Sequence, residues 1–159
     1  MVLAACALAI GVSSPAAVAA PAAGSAHIGA ASKRPYDGQD PHYSGCSAWG
    51  ARMVKHKTDY YYSSKYREHV WVKAELWYSS GCRTVWTEVH SNVPQNYAAG
   101  LGCNIHRKSD GKVLTCNHTT GTRERNSPML NDKNTTGYAV AWGHIGDDPH
   151  ILIATTGSY

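Results

Sequence analysis

Two aspartates, Asp37 and Asp40, stand close together in the segment YDGQDPHYSGC at residues 36–46. Paired carboxylates can act as general acid and base, or they can bind a cation. The neighbouring residues favour a structural role, because Asp37-Gly38 is typical of turns and Pro41 restricts Asp40 to extended backbone. A calcium loop needs more oxygen ligands than this spacing supplies. We therefore predict a structural turn, with Asp37 and Asp40 as only a weak metal candidate.

Histidines and glutamates are numerous enough to suggest acid–base catalysis, but no motif organises them. Nine histidines are scattered along the chain, and there is no HExxH, GxSxG or glycine-rich phosphate loop. A small secreted nuclease or wall-lytic hydrolase could use Glu88 as a base, together with a histidine and with Arg83 to hold phosphate. Any basic domain of this size contains such residues, so the catalytic residues stay unknown. We favour a protein that is not an enzyme and that needs no cofactor or metal ion.

Tryptophans on one strand face suggest a binding surface instead. In HVWVKAELWYS, residues 69–79, apolar and polar side chains alternate, which is typical of a half-buried strand. Trp71 and Trp77 lie on its polar face, and Trp86 lies on the same face of the returning strand. Exposed indoles there would form a platform for sugar rings or for a partner protein. Alternatively, a second layer covers this face and the three indoles belong to the core.

Four of the five cysteines follow the apolar start of the chain: Cys46, Cys82, Cys103 and Cys116. An even number in an exported domain predicts disulfides, and the lack of a CxxC motif or of close Cys/His pairs disfavours zinc. Residues 101–118 are typical of a hairpin that turns at 108–111, which places Cys103 opposite Cys116 within disulfide reach. We therefore pair these two cysteines, and Cys46 then joins Cys82.

The start of the chain predicts export. The apolar run at 2–12 has the length of a signal-peptide core and is too short to span a membrane. Ala17-Val18-Ala19 is a cleavage signal, so we assign 1–19 to a signal peptide and 20–35 to a linker. Residues 36–159 then form one secreted β-rich domain without a transmembrane segment, outside the cell or at its surface. A flexible alanine-rich tail is the alternative interpretation of the first residues.

Apolar alternation predicts a mainly β fold. Strands are expected at 69–79, 83–90, 101–107, 112–118, 137–145 and 150–155. The apolar spacing over 44–57 predicts one short helix capped by Ser44. In the first hairpin, a loop over 79–82 sets Lys73 opposite Glu88, which is a favourable charge pair. The expected fold is a small sandwich or partly closed barrel, with one N-terminal helix and two disulfides.

Three motifs carry a family resemblance. YDGxDP…GC at 36–46, ELxYSxxCRxxW at 75–86 and PMLxD at 128–132 resemble the YjfA-like secreted family of Gram-positive bacteria. The resemblance implies a binding or sensing role at the cell envelope and supplies no catalytic residue. Two cysteines of that family correspond to Cys46 and Cys82.

We predict a secreted, non-catalytic binding module for an envelope or extracellular ligand, either a polysaccharide or a protein. The net charge of +4 is modest and scattered, so nucleic acid is not an expected partner. The alternatives are the small hydrolase described above and a protease-inhibitor-like protein, which would present a rigid loop anchored by a disulfide.

Overall fold

The computed structural model describes residues 34–93, 100–116, 119–120, 122–146 and 148–159. The signal peptide predicted at 1–19 and the linker up to residue 33 lie outside these residues. The described part of the chain is built from strands: β1 (Ala51–Ser63), β2 (Glu68–Ser79), β3 (Thr84–Ser91), β4 (Gly100–Arg107), β5 (Val113–Thr115), β6 (Thr119–Thr120), β7 (Glu124–Asn126), β8 (Leu130–Asn131), β9 (Gly137–His144) and β10 (Ile151–Thr155). Within these residues there is no helix that could cross a membrane.

The strands form two antiparallel sheets. The first has the order β1–β2–β3–β7, with β8 also paired to β3. The second has the order β10–β9–β4–β5, with β6 also paired to β4. The sheets contact each other through β2, β3, β4 and β9 but do not close on themselves. The prediction of a mainly β sandwich is therefore confirmed, and the partly closed barrel is wrong.

Apolar side chains from both inner sheet faces form the core. On β2 every second residue from Val70 to Leu76 is fully buried, as the alternation predicts. The facing sheet contributes Leu101, Cys103, Ile105, Ala139, Ala141, Leu152 and Ala154. Burying one valine or leucine side chain contributes about 1.5–3 kcal/mol, which offsets the entropy lost on ordering the chain. The polar residues of β2 are thereby directed to the outer face of the first sheet.

The helix predicted over 44–57 is wrong. Residues 41–48 form a series of turns, and strand β1 begins at Ala51. Gly45 and Gly50 adopt φ angles of 78° and 63°, in the left-handed region that a right-handed helix does not use. From Ala51 onwards, pairing with β2 satisfies the backbone groups that a helix would have satisfied internally.

The β2–β3 hairpin is shifted by two residues from the predicted register. Its loop covers residues 80–83, and Glu75 lies opposite Glu88. Lys73, which we expected opposite Glu88, lies opposite His90. The expected charge pair does not form, because Lys73 instead bonds Glu75 of its own strand, with Nζ 2.6 Å from Oε1.

One of the two predicted disulfides is present. It joins Cys46 in the N-terminal turns to Cys82 in the β2–β3 loop, with the Cα atoms 5.7 Å apart. Cys103 and Cys116 have the predicted register, since the Cys116 N–H donates to the Cys103 carbonyl at 2.9 Å. Both are buried free thiols in this structure, so their disulfide is not confirmed. Burial and the neighbouring thiol raise the pKa of Cys103.

Strand β10 forms one edge of the second sheet. Its residues Ile151 and Ile153 are 58% and 57% exposed. The N–H of Ile153 donates to the carboxylate of Asp59 at 2.9 Å. Asp59 belongs to β1 of the first sheet, so this bond connects the two sheets at their edge.

Candidate functional site

The outer face of the first sheet collects polar side chains from four strands. Directly opposite residues of an antiparallel pair project to the same side, so the pairing sets up rows across this face. Two adjacent rows hold most of its titratable groups. They are His56, Glu75, Glu88 and Asn126 in one row, and Thr58, Lys73, His90 and Glu124 in the other.

Glu75, Glu88 and His90 form the centre of this face. Each offers one side-chain oxygen or nitrogen, and the three atoms all lie within 4.8 Å of one another. His90 Nε2 is 3.4 Å from Glu75 Oε2 and 3.9 Å from Glu88 Oε2. Glu75 is only 6% exposed. Like charges directly opposite each other are destabilising, so the two glutamates depend on the donors and cations around them.

Indole N–H groups bond both carboxylates. Trp77 Nε1 donates to Glu75 Oε2 at 3.0 Å, and Trp86 Nε1 donates to Glu88 Oε1 at 3.0 Å. The two indoles are themselves stacked, with ring centroids 6.2 Å apart and an angle of 14° between the planes. Each glutamate is therefore oriented by the tryptophan two residues away on its own strand.

The three tryptophans of the predicted platform differ in exposure. Trp86 is fully buried, packed with Met129 and the Cys46–Cys82 disulfide. It cannot contact a ligand directly, because the N-terminal segment covers its part of the outer face. Trp77 is half-buried against the same cluster, and Trp71 is half-buried farther along β2. The accessible indole surface of the predicted platform is thus limited to Trp71 and part of Trp77.

A pocket of about 300 Å³ opens beside these glutamates, over β3 and β7. Its lining carries both signs of charge: His42, Glu88, His90, Glu124, Arg125 and Asn126. His42 Nε2 lies 4.0 Å from Glu88 Oε1, and His90 Nδ1 lies 3.8 Å from Glu124 Oε2. A smaller cavity of about 170 Å³ adjoins it at Arg125 and Asn126. A ligand in this pocket would meet imidazole, guanidinium, amide and carboxylate groups together.

The electrostatics of Glu75 bear on what the site can do. Burial by itself raises the pKa of the Glu75 carboxyl, but hydrogen bonds from Lys73 and Trp77 and the proximity of His90 outweigh it and hold the pKa below its ordinary value. Glu75 is therefore ionised at neutral pH. Hydrolysis of a glycosidic bond needs one protonated carboxylic acid, and Glu75 does not supply it.

Asp37 lies away from the pocket, in an ion network. Its carboxylate accepts hydrogen bonds from Arg107 Nη1 at 2.8 and 2.9 Å, from Lys112 Nζ at 3.1 Å and from the Asn131 N–H at 2.6 Å. Arg107, with its side chain 2% exposed, also binds Asp110 at 2.7 Å. Burial alone raises the pKa of Asp37, yet these bonds hold it below its ordinary value.

Asp40 is used by the turn that follows it. Its Oδ1 accepts the N–H groups of His42 and Tyr43 at 2.8 and 3.1 Å, and its Oδ2 accepts Asn126 Nδ2 at 3.0 Å. This is the bonding of an aspartate at a turn start, with one additional contact that fixes a pocket residue. The oxygens of Asp37 and Asp40 thus bind different groups of the chain.

Sequence reasoning named Glu88 but not its partners. The alternation of polar and apolar residues in β2 and β3 places Glu75, Glu88 and His90 on one face, so the sequence could have indicated that they are near each other. The predicted register was two residues off, and with it the contact among the three side chains could not be predicted. Arg83, the cation suggested for phosphate binding, bonds Asp132 with Nε 3.4 Å from Oδ1 and is not among the residues lining the pocket.

Comparison with known proteins gives a family and one relative. The sequence profile of a family described as "Protein of unknown function (DUF2690)" matches residues 34–140. The chain is 29% identical over 132 residues to the uncharacterized protein YjfA of Bacillus subtilis strain 168, and the alignment covers 78% of this chain and 80% of that protein. No solved structure gives a significant match.

Proposed function

Because the chain belongs to the DUF2690 family of proteins of unknown function, we propose its function from the geometry of the site. We propose an exported, non-catalytic module that binds an envelope polysaccharide in the pocket over β3 and β7. The observation that carries this proposal is the pocket itself. Its lining contains hydrogen-bond donors and acceptors, and it includes both basic and acidic side chains.

Sugar hydroxyls suit such a lining. They donate to carboxylates such as Glu88 and accept from guanidinium and imidazole groups such as Arg125 and His42. The apolar face of a sugar ring packs on an indole, and half-buried Trp71 lies on the same sheet face, two residues along β2 from Lys73. Glu75 itself is ionised and does not act as the proton donor of a hydrolase.

The test is retention of the exported protein on purified wall polysaccharide. We expect Trp71→Ala to weaken retention about two- to tenfold, which corresponds to about 0.5–1.5 kcal/mol of aromatic contact. Trp77 is a poor test position, because it bonds Glu75 and packs near the disulfide. Trp142→Ala is the matched control, because that half-buried tryptophan lies on β9 of the other sheet. Equal retention of wild type and Trp71→Ala would contradict the proposal.

A small hydrolase is the second candidate function. The observation that favours it is the contact of His90 Nε2 with Glu75 Oε2 at 3.4 Å, beside an open pocket. Incubation of the protein with wall polymer and with nucleic acid tests it. Product release that disappears in His90→Ala would replace the binding proposal with an enzymatic one.

Export also bears on the second cysteine pair. The apolar start of the chain and the Cys46–Cys82 bond support an oxidising location outside the cytoplasm. There, thiol oxidases would remove two protons and two electrons from Cys103 on β4 and Cys116, which directly follows β5 and donates its N–H to the Cys103 carbonyl. Mass spectrometry of the exported protein should then find two disulfides. Free thiols at these two positions would contradict the second bond.

A further inference from the structure

We propose that Glu75, Glu88 and His90 bind one zinc ion beside the pocket over β3 and β7. The three ligand atoms come from two adjacent strands and lie within 4.8 Å of one another. The site shares Glu88 and His90 with the lining of the pocket proposed for a polysaccharide. Zinc binding and polymer retention are nevertheless measured separately, so either proposal can fail without the other.

The distances fit zinc. Bonds of about 2.0–2.2 Å at tetrahedral angles place ligand atoms about 3.3–3.6 Å from one another. His90 Nε2 is already 3.4 Å from Glu75 Oε2. It is 3.9 Å from Glu88 Oε2, and the ligand oxygens of Glu75 and Glu88 lie within 4.8 Å of each other, so a rotation of the Glu88 side chain would bring all three atoms toward zinc distances.

The donor set selects the class of metal. One imidazole nitrogen and two carboxylate oxygens suit zinc and similar transition ions. Calcium and magnesium prefer six or more oxygen ligands and rarely accept nitrogen. Three protein ligands leave a fourth position of the tetrahedron, and the pocket lined by Glu88 and His90 gives a ligand or water access to it.

The surroundings hold the ligands in place. Glu88 Oε1 is occupied by the Trp86 indole, which leaves Oε2 for the metal. Glu75 Oε1 is bonded by Lys73, and Glu75 Oε2 accepts the Trp77 indole N–H with one lone pair and faces His90 with the other. Partners of this kind orient metal ligands in known sites. A zinc ion between Glu75 and Glu88 would also reduce the electrostatic repulsion between these two facing carboxylates.

The experiment is calorimetric titration of the exported protein with Zn²⁺ alone. We expect saturable one-to-one binding, weakened more than about tenfold in His90→Ala and in Glu88→Gln. His106→Ala and Glu68→Gln are the matched controls, because His106 lies on β4 of the other sheet and Glu68 is exposed at the start of β2. Both controls should bind zinc as the wild type does.

A second measurement guards against loss of fold. Circular dichroism should show that His90→Ala and Glu88→Gln keep the β spectrum, whereas the buried Glu75 is a riskier position. Co²⁺ in place of zinc should give the visible absorption of a tetrahedral site in the wild type and lose it in His90→Ala. No saturable zinc binding by the wild type, or unchanged binding in both variants, would overturn the proposal. Zinc binding without polymer retention would instead overturn only the proposed function.

Discussion

Arg107 shows, at the scale of single residues, how this small domain buries a charge. Its side chain is 2% exposed, and its guanidinium donates to Asp37 on one side and to Asp110 on the other. The sequence predicted the turn at Asp37 from its neighbours. It could not predict the partner, because Arg107 is 70 residues away in sequence and only the folded sheets bring the two together.

Removal of Arg107 should therefore be costly. Arg107→Ala removes two hydrogen bonds to the buried Asp37 carboxylate and leaves it with the more exposed Lys112, so we expect a loss of about 3–5 kcal/mol in the free energy of unfolding. Arg107→Lys keeps the charge but loses the forked geometry, so its loss should be smaller. Urea denaturation measures both.

Arg52→Ala is the control for this prediction. Arg52 is exposed and donates only to the Tyr159 hydroxyl among its described contacts, at 3.2 Å. It should lose less than about 1 kcal/mol. If Arg107→Ala behaves like Arg52→Ala, the buried network does not stabilise the fold as we infer.

At the scale of strands and hairpins, the sequence predicts positions better than register. The strands expected at 101–107, 137–145 and 150–155 occur nearly where alternation placed them. The hairpin of β4 and β5 also has its predicted register, with Ile105 opposite Leu114. In each case apolar residues on one face decide the outcome, and the buried face enforces it.

The β2–β3 register failed because a charge rule was applied where it does not hold. Pairing Lys73 with Glu88 is locally favourable, yet the protein places Glu75 there. Local rules are broken most often at functional sites, where the cost is offset by other contacts. The unfavourable pairing is thus itself a reason to regard this face as a site.

The β4–β9 pair offers a test of packing within one element. A Cβ added to Gly102 would lie 2.2 Å from Cζ2 of Trp142, its cross-strand partner. We expect Gly102→Ala to cost about 1–3 kcal/mol in the free energy of unfolding, because the indole must move. The cost should shrink in the Trp142→Ala background, which a double-mutant cycle measures.

Gly157→Ala serves as the control, since a Cβ there meets nothing within 4 Å. A Gly102→Ala protein as stable as the Gly157→Ala protein would show that the indole does not lie over the glycine.

At the scale of the whole molecule, the described residues form two apolar clusters. The larger lies between the sheets, and the smaller lies outside the first sheet, around Trp86, Met129 and the Cys46–Cys82 bond. The sequence indicated this disulfide, but it gave no signal that the N-terminal turns would cover the outer face. That covering depends on contacts far apart in the chain, such as the bond from the Gly38 N–H to the Met129 carbonyl at 2.9 Å.

Loss of this disulfide should therefore affect both stability and the site. The bond closes a sequence separation of 36 residues, and a loop of that size stabilises by about 4 kcal/mol in the chain-entropy model. We expect Cys46→Ser/Cys82→Ser to unfold at lower urea and to expose Trp86, with a red shift of its fluorescence before global unfolding. A variant that loses less than about 1 kcal/mol and shows no such shift would contradict this account.

The carboxylate of Asp59 has a consequence for how copies of this protein meet. The edge strand of a sheet has unpaired backbone N–H and C=O groups, which can pair with a strand of another molecule and lead to aggregation. At Ile153 that donor is already engaged by Asp59. This bond therefore reduces the tendency of β10 to pair with another molecule, although Ile151 and Ile153 are exposed on this edge strand.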